Sequence, residues 1–178
     1  MNNNMNEDED DIGAAATPLE IHHHVIVDYD GDINNFIAQR KIKGLSQAQI
    51  AAALGYSNTS IIGHFEAGTK GIDSRSYTLF CLLTDTHPEY VLLQDNEDGE
   101  LLITAPDGYS VRQTRLNANR MTQPKMAKLL GLSSKTLVSN YENDRKNPSI
   151  QNWTLFLLIT SQHPHYSIKP KHTSNHAG

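Results

Sequence analysis

The chain lacks three features that would place it outside the cytoplasm. It has one cysteine, which excludes an internal disulfide, and because Cys81 lies in the apolar run LFCLLT we expect a buried thiol. No apolar run approaches the ~20 residues that a membrane span requires. The first thirty residues lack the basic start and apolar stretch of a signal peptide. The sequence therefore predicts a cytoplasmic protein.

Catalytic signatures are also missing. The sequence contains no nucleophile elbow, P-loop or dinucleotide fingerprint. His22, His23 and His24 form the one cluster with metal character, and in a strand His22 and His24 would share a face. No CxxC, HExxH or similar partner accompanies them. We expect no enzyme, no cofactor and no metal site, with packed or pH-sensitive histidines; an enzyme that uses them is the less favoured alternative.

Positive charge is scarce overall but concentrated in one stretch. The formal net charge is −5, and residues 1–32 and 93–110 contain acidic residues without any Lys or Arg. Residues 111–150 carry eight Lys/Arg against two acidic residues, a sum of +6, whereas residues 33–92 carry five against four, a sum of +1. DNA responds to the local basic surface, so the negative total does not exclude nucleic acid.

One unit occurs twice in the chain. SQAQIAAALGYSNTSIIGHFEAG (46–68) aligns without a gap on TQPKMAKLLGLSSKTLVSNYEND (122–144), so that Ser46 falls on Thr122 and Glu66 on Glu142. The same offset places YTLFCLLTDTHPEY (77–90) on WTLFLLITSQHPHY (153–166). The predicted organisation is a disordered acidic tail (1–18), an N-terminal strand with the first unit (19–92), an acidic linker or hairpin (93–110), the second unit (111–170) and a disordered tail (171–178).

Local signals predict a mainly α fold with a few short strands. Ser46, Thr122 and Ser149 are suitable N-caps, and Gly55 and Gly131 suit the left-handed position that ends a helix. The helix after each glycine turn is predicted to run from about Ser57 or Asn58 to Glu66 and from Ser133 or Ser134 to Glu142. β-branched or alternating runs predict an N-terminal strand and a central hairpin: EIHHHVIVDY (20–29), and EYVLLQ (89–94) with ELLITA (100–105).

Two short helices joined by a glycine turn are typical of a helix-turn-helix, whose second helix enters the major groove. If Val138 and Tyr141 face the core, the outward and therefore base-reading residues of the second copy are Ser134, Lys135, Thr136, Ser139 and Asn140. These side chains can bond guanine and adenine or meet the thymine methyl. The first copy offers Thr59, Ser60 and His64 at matching positions. The residues expected to contact phosphate are Gln123, Arg145 and Lys146, and Gln47 and Lys70 in the first copy.

A family resemblance accompanies these motifs. The run from Thr122-Gln123 through Ala127, Leu130-Gly131, Val138, Tyr141-Glu142 and RKNPS resembles the Cro/cI-type (Xre) helix-turn-helix regulators, and so does the run from Ser46-Gln47 to Gly68. The resemblance implies two lambda-repressor-like DNA-binding units that act as a homodimer at a palindromic operator. Two departures are visible. The spacing from turn glycine to motif glutamate is one residue longer than usual in both copies, and Asn143-Asp144 replace the usual loop glycine in the second.

The sequence thus predicts a DNA-binding transcriptional regulator, a repressor that occludes a promoter, with the second copy as main reader. The first copy either contacts a neighbouring groove or binds a protein partner, and both possibilities stay open. The alternative function is an antitoxin-like or adaptor protein that uses the first copy and the strands for protein contact.

Overall fold

A computed structural model describes residues 17–172, and in this range each unit contributes four helices followed by one strand. The first unit contains α1 (Ile33–Ile42), α2 (Gln47–Ala53), α3 (Ser60–Glu66), α4 (Ser74–Leu83) and β1 (Tyr90–Gln94). The second contains α5 (Gly108–Asn117), α6 (Gln123–Leu129), α7 (Lys135–Glu142), α8 (Ile150–Ile159) and β2 (Tyr166–Pro170). No helix within this range is long and apolar enough to cross a bilayer.

The two predicted tails fall mostly outside the described residues, which exclude 1–16 and 173–178. Lys171, which the sequence places in the C-terminal tail, is bonded to the fold. Its backbone N–H donates to the carbonyl of Glu89 at 2.7 Å. This bond continues the register of β1 and β2 by one residue.

The predicted helix caps are confirmed. Ser46 and Gln49 form a reciprocal capping box at the start of α2, while Thr122 and Ser149 cap α6 and α8 through their hydroxyl oxygens. Gly55 and Gly131 end α2 and α6 with φ angles of +80° and +63°. The helices after these turns begin later than predicted, at Ser60 and Lys135.

Side-chain chemistry explains the late start of α3. The side chain of Asn58 accepts a hydrogen bond from the backbone N–H of Ser60 at 2.9 Å, which forms a local turn before the helix. Ser134 before α7 is extended, with φ −161° and ψ 159°. Short polar residues at these positions favour the turn over a helical first residue.

The predicted hairpin and N-terminal strand are wrong. β1 pairs with β2 of the other unit in antiparallel register, and residues 20–29 and 100–105 form no strand. Both segments run as extended arms along helices. The N–H of Val27 donates to Thr78 Oγ1 at 2.8 Å, and that of Ile103 to Thr154 Oγ1 at 2.9 Å. These two bonds fasten each arm to a helix rather than to a neighbouring strand.

An internal pseudo-two-fold axis relates the two units. It passes through the strand pair, where Leu92 lies opposite Ile168, its equivalent in the repeat. Helices α4 and α8, which are also equivalent, pack against each other. Gln151 Nε2 donates to the carbonyl of Leu54 at 2.7 Å, and the equivalent Arg75 Nη1 donates at 3.4 Å to that of Gly131, which follows the equivalent of Leu54 by one residue. The interface between the units is therefore reciprocal.

The arms cross this interface in the same reciprocal way. A methyl group placed on Gly131 would touch Ile26 of the first arm at 3.5 Å, and one placed on Gly55 would touch Leu102 of the second arm at 3.5 Å. Ile26 and Leu102 occupy equivalent positions of the repeat. Each arm thus packs against the glycine turn of the opposite unit.

Both units contribute to one buried apolar cluster. Its largest fully buried side chains include Phe36, Phe65, Phe80, Leu130, Phe156 and Leu158. The expectation for Cys81 is confirmed, since it is 2% exposed within this cluster. Burial raises the pKa of its thiol, so the thiolate is disfavoured. The shared core makes the two units a single packed body.

Candidate nucleic-acid interface

The outer face of α7 presents the side chains predicted to read bases. Val138 and Tyr141 are buried, as expected, and Leu137 is half-buried. Ser134, Lys135 and Thr136 are exposed, whereas Ser139 and Asn140 are half-buried. The matching residues in the first unit, Thr59, Ser60 and His64, are all exposed. The exposed positions therefore cluster at the N-terminal half of α7.

The loop after α7 presents two cations. The backbone carbonyl of Asn140 accepts hydrogen bonds from the N–H groups of Arg145 (2.9 Å) and Lys146 (3.3 Å), and both side chains are exposed. His64 occupies the equivalent position in the first unit, and its backbone carbonyl accepts hydrogen bonds from the N–H groups of Thr69 and Lys70. The second loop thus offers two cationic side chains where the first offers one.

Asp144 occupies the position that Gly68 holds in the first unit. Its φ of +54° is left-handed, as is the φ of +69° at the equivalent Gly68. The Asp144 carboxylate accepts a hydrogen bond from the N–H of Gly108 at 2.6 Å, at the start of α5. This bond offsets the strain of the left-handed backbone and fastens the loop to α5.

A buried polar network fixes the end of α7. Arg115 Nε donates to Glu142 Oε1 at 2.5 Å, Gln123 Nε2 donates to Glu142 Oε2 at 2.9 Å, and Arg115 also bonds the carbonyl of Met121. Burial acts to raise the pKa of Glu142, but the hydrogen bonds from Arg115 and Gln123 outweigh it and lower the pKa. The carboxylate is therefore ionised and paired.

The first unit repeats this network. Arg40 Nε donates to Glu66 at 2.6 Å, Gln47 Nε2 donates to Glu66 at 2.7 Å, and Arg40 bonds the carbonyl of Leu45 at 2.7 Å. The sequence predicted Gln47 only as a phosphate ligand. It did not predict that Arg40 and Arg115 would pair with the two glutamates. The repeat offset places Arg40 on Leu116 rather than on Arg115, because the connection between α5 and α6 is one position longer than that between α1 and α2.

The exposed charge of the second unit is strongly positive, and the buried Arg115–Glu142 pair adds nothing to it. Its exposed cations between residues 111 and 150 are Arg112, Arg120, Lys125, Lys128, Lys135, Arg145 and Lys146. Asp144 is the one exposed acidic residue in that stretch. In the first unit Arg75 lies 3.7 Å from Asp73, and Asp73, Asp85 and Glu89 are exposed. The charge contrast predicted from the sequence is therefore a contrast between exposed surfaces.

The histidine triplet does not form the strand that was predicted. His22 is buried and lies 3.4 Å from Ser161 Oγ, while His23 and His24 are exposed and His24 has a left-handed φ of +57°. His22 and His24 therefore do not share a strand face. Among residues 17–172 no group of three or more His, Cys, Asp or Glu side chains is placed to hold a metal ion.

Two other histidines hold the arms. His87 Nε2 lies 2.7 Å from the carbonyl of Val25, and His163 Nε2 lies 2.6 Å from that of Leu101. Each Nδ1 accepts hydrogen bonds from two backbone N–H groups, at residues 89 and 90 and at residues 165 and 166. Each of these histidines precedes a proline at the same position of the repeat.

No protein-family model matches the chain, and no match was found among curated proteins or solved structures. The exposed side chains of α7 and its loop are therefore the main guide to function.

Proposed function

We propose that the protein is a sequence-specific DNA-binding transcriptional regulator that represses by occluding a promoter and reads bases mainly through α7. The observation that carries this proposal is the excess of exposed cations in the stretch that contains α7, since residues 111–150 have seven exposed Lys and Arg and one exposed acidic residue. Such a surface gains binding free energy by releasing counterions from DNA. The first unit, which contains α3, has no comparable excess of exposed Lys and Arg over exposed acidic residues.

The exposed end of α7 supplies suitable groups for base contacts. Lys135 donates to guanine, Thr136 meets a thymine methyl or bonds a base edge, and Asn140 pairs with adenine through its amide. Thr136 and Asn140 are spaced by about one helical turn, so they lie on one side of the helix. This side is opposite Val138 and Tyr141, which hold α7 in the core.

Phosphate contacts come from the loop and from the buried network. Arg145 and Lys146 follow α7 directly and are exposed. Gln123 is half-buried, and its bond to Glu142 uses one of the two hydrogens on the amide nitrogen. The second hydrogen is available to a phosphate oxygen, with the side chain already oriented by the glutamate.

The proposal is tested by selection from a random double-stranded DNA pool with three proteins. These are the wild type, a second-unit variant (Lys135→Ala with Asn140→Ala) and a first-unit variant (Thr59→Ala with His64→Ala). All four positions are exposed or half-buried, so the fold should be retained. We expect the wild type to enrich a defined sequence, and the second-unit variant to lose about tenfold or more in affinity for it. The first-unit variant should lose less.

A combination of two results would contradict the proposed function. If the wild type enriches no sequence and its DNA binding disappears at moderate salt, DNA reading is not its function. The protein-interaction function, with the first unit holding a protein partner, would then replace it.

A further inference from the structure

We infer that one chain binds one asymmetric two-part DNA site, with α7 in one half-site and α3 in the other, without a second copy of the chain. This inference rests on the proposed DNA-binding function. It differs from the homodimer at a palindrome that the family resemblance implies.

The internal axis supplies the symmetry that a DNA dyad requires. A two-fold rotation leaves directions along its axis unchanged, so the exposed faces of α3 and α7 have the same inclination to the axis. The backbone of B-DNA has local two-fold axes, and adjacent major-groove half-sites are related by them. A dimer of identical chains meets this condition with two molecules, whereas here the axis passes between β1 and β2 of one chain.

The placement of α3 relative to α7 is fixed by the interface. The glycine turn before α3 lies against the second unit, where Gln151 bonds the carbonyl of Leu54. The turn before α7 lies against the first unit, where Arg75 bonds the carbonyl of Gly131. Because both turns are anchored across the axis and share one core, the two helices form a rigid pair.

The apolar faces of α4 and α8 are buried within one chain. Phe80, Leu155 and Leu158 on α4 and α8 are at most 1% exposed. Among residues 17–172 the large apolar side chains that remain strongly exposed are Ile42 and Tyr109, one in each unit. Isolated apolar side chains of this kind do not form the contiguous patch typical of a stable dimer interface.

The two half-sites should differ because the two helices differ. At equivalent positions Thr59 stands for Lys135, Ser60 for Thr136 and His64 for Asn140. The α7 half-site gains a cationic donor and an adenine-pairing amide that α3 lacks. We therefore expect a site with dyad-related spacing but without palindromic sequence.

A helix-swap variant tests this inference. Thr59→Lys, Ser60→Thr and His64→Asn together give α3, in the full chain, the side chains that the second unit carries at Lys135, Thr136 and Asn140. All three positions are exposed, and a thermal melt would verify that the variant folds. The wild type and the swap variant are each selected against a random DNA pool. The mass of each protein–DNA complex is then measured by sedimentation.

We expect one chain per duplex in both complexes. The wild type should enrich two different half-sites about one helical turn, ~34 Å, apart. The swap variant should enrich an inverted repeat of the α7 half-site and bind it about tenfold more tightly than the wild type does.

Three results would overturn the inference. Two wild-type chains on a palindrome, or a single half-site unaffected by the swap, would refute it while DNA binding itself stands. A wild type that enriches no sequence would remove both the proposed function and this inference.

Discussion

At the scale of single residues, each unit buries an arginine against its motif glutamate. The side chains of Arg115 and Glu142 are 8% and 5% exposed, and those of Arg40 and Glu66 are 10% and 12% exposed. Removing one member of such a pair leaves an uncompensated buried charge. The sequence shows all four residues but gives no sign of their pairing, because their contacts bridge separate helices.

We predict that Arg115→Ala lowers the free energy of unfolding by about 3–5 kcal/mol. Arg40→Ala should lower the free energy of unfolding by less, because the Glu66 side chain is more exposed to solvent than that of Glu142. Urea unfolding of both variants measures the difference. The double variant Arg115→Met with Glu142→Leu is the control and should recover much of the loss; equal stability of wild type and Arg115→Ala would contradict the buried pair.

Glycine turns allow a matched test of the interface between the units. Gly55 has a φ of +80°, and a Cβ there would lie 2.7 Å from Ile150 of the other unit. Gly68 is also left-handed, but a Cβ there would meet nothing within 4 Å. Both substitutions to alanine incur backbone strain of about 1 kcal/mol, and only Gly55→Ala adds overpacking.

We therefore predict that Gly55→Ala destabilises the protein by about 1–3 kcal/mol more than Gly68→Ala does. Chemical denaturation of the two variants provides the comparison. If the two variants were equally stable, the glycine turn of the first unit would not lie against α8.

At the scale of elements, the helices and the strand predicted at residues 89–94 were predictable, but the partner of that strand was not. Caps such as Ser46 and turn residues such as Gly55 act within a few positions, so their effects can be recognised in the sequence. The pairing of β1 with β2 joins equivalent segments of the two units that lie far apart in the chain, and no local signal distinguishes it from a hairpin with residues 100–105. Tertiary context decided the strand partner.

His87 and His163, which bond the two arms, make the free energy of unfolding dependent on pH. Burial lowers the pKa of His87 and His163 below their ordinary value of 6.5, although the bonds to Val25 and Leu101 oppose it. The folded chain holds both neutral, while the unfolded chain protonates them near pH 6.5. Their contribution to stability is therefore full above that pH and is lost as the pH falls toward the lowered pKa values.

We predict that the free energy of unfolding decreases between pH 7.5 and pH 5.5. His87→Gln with His163→Gln should be less stable at pH 7.5 but should depend less on pH. Denaturation curves of both proteins across this range measure the effect. An identical pH dependence in the two proteins would show that these histidines are not the titrating groups.

At the scale of the whole molecule, the sequence repeat predicted two similar units but not how they pack against each other. Two units in one chain can separate on a linker, pair within the chain or pair between chains. Reciprocal bonds such as Gln151 to Leu54 and Arg75 to Gly131 define the internal pair, and neither is visible as a pattern in the sequence. The candidate site was more predictable, because surface charge and helix periodicity place Lys135 and Thr136 outward without knowledge of the interface.

The most direct test of the account is the salt dependence of DNA affinity for the wild type, Lys146→Ala and Lys169→Ala. Lys146 follows α7, whereas Lys169 is an exposed lysine on β2. We predict that Lys146→Ala weakens binding and reduces the slope of log affinity against log salt by about 1, while Lys169→Ala leaves the slope unchanged. Equal slopes for all three proteins would contradict DNA binding through the surface around α7.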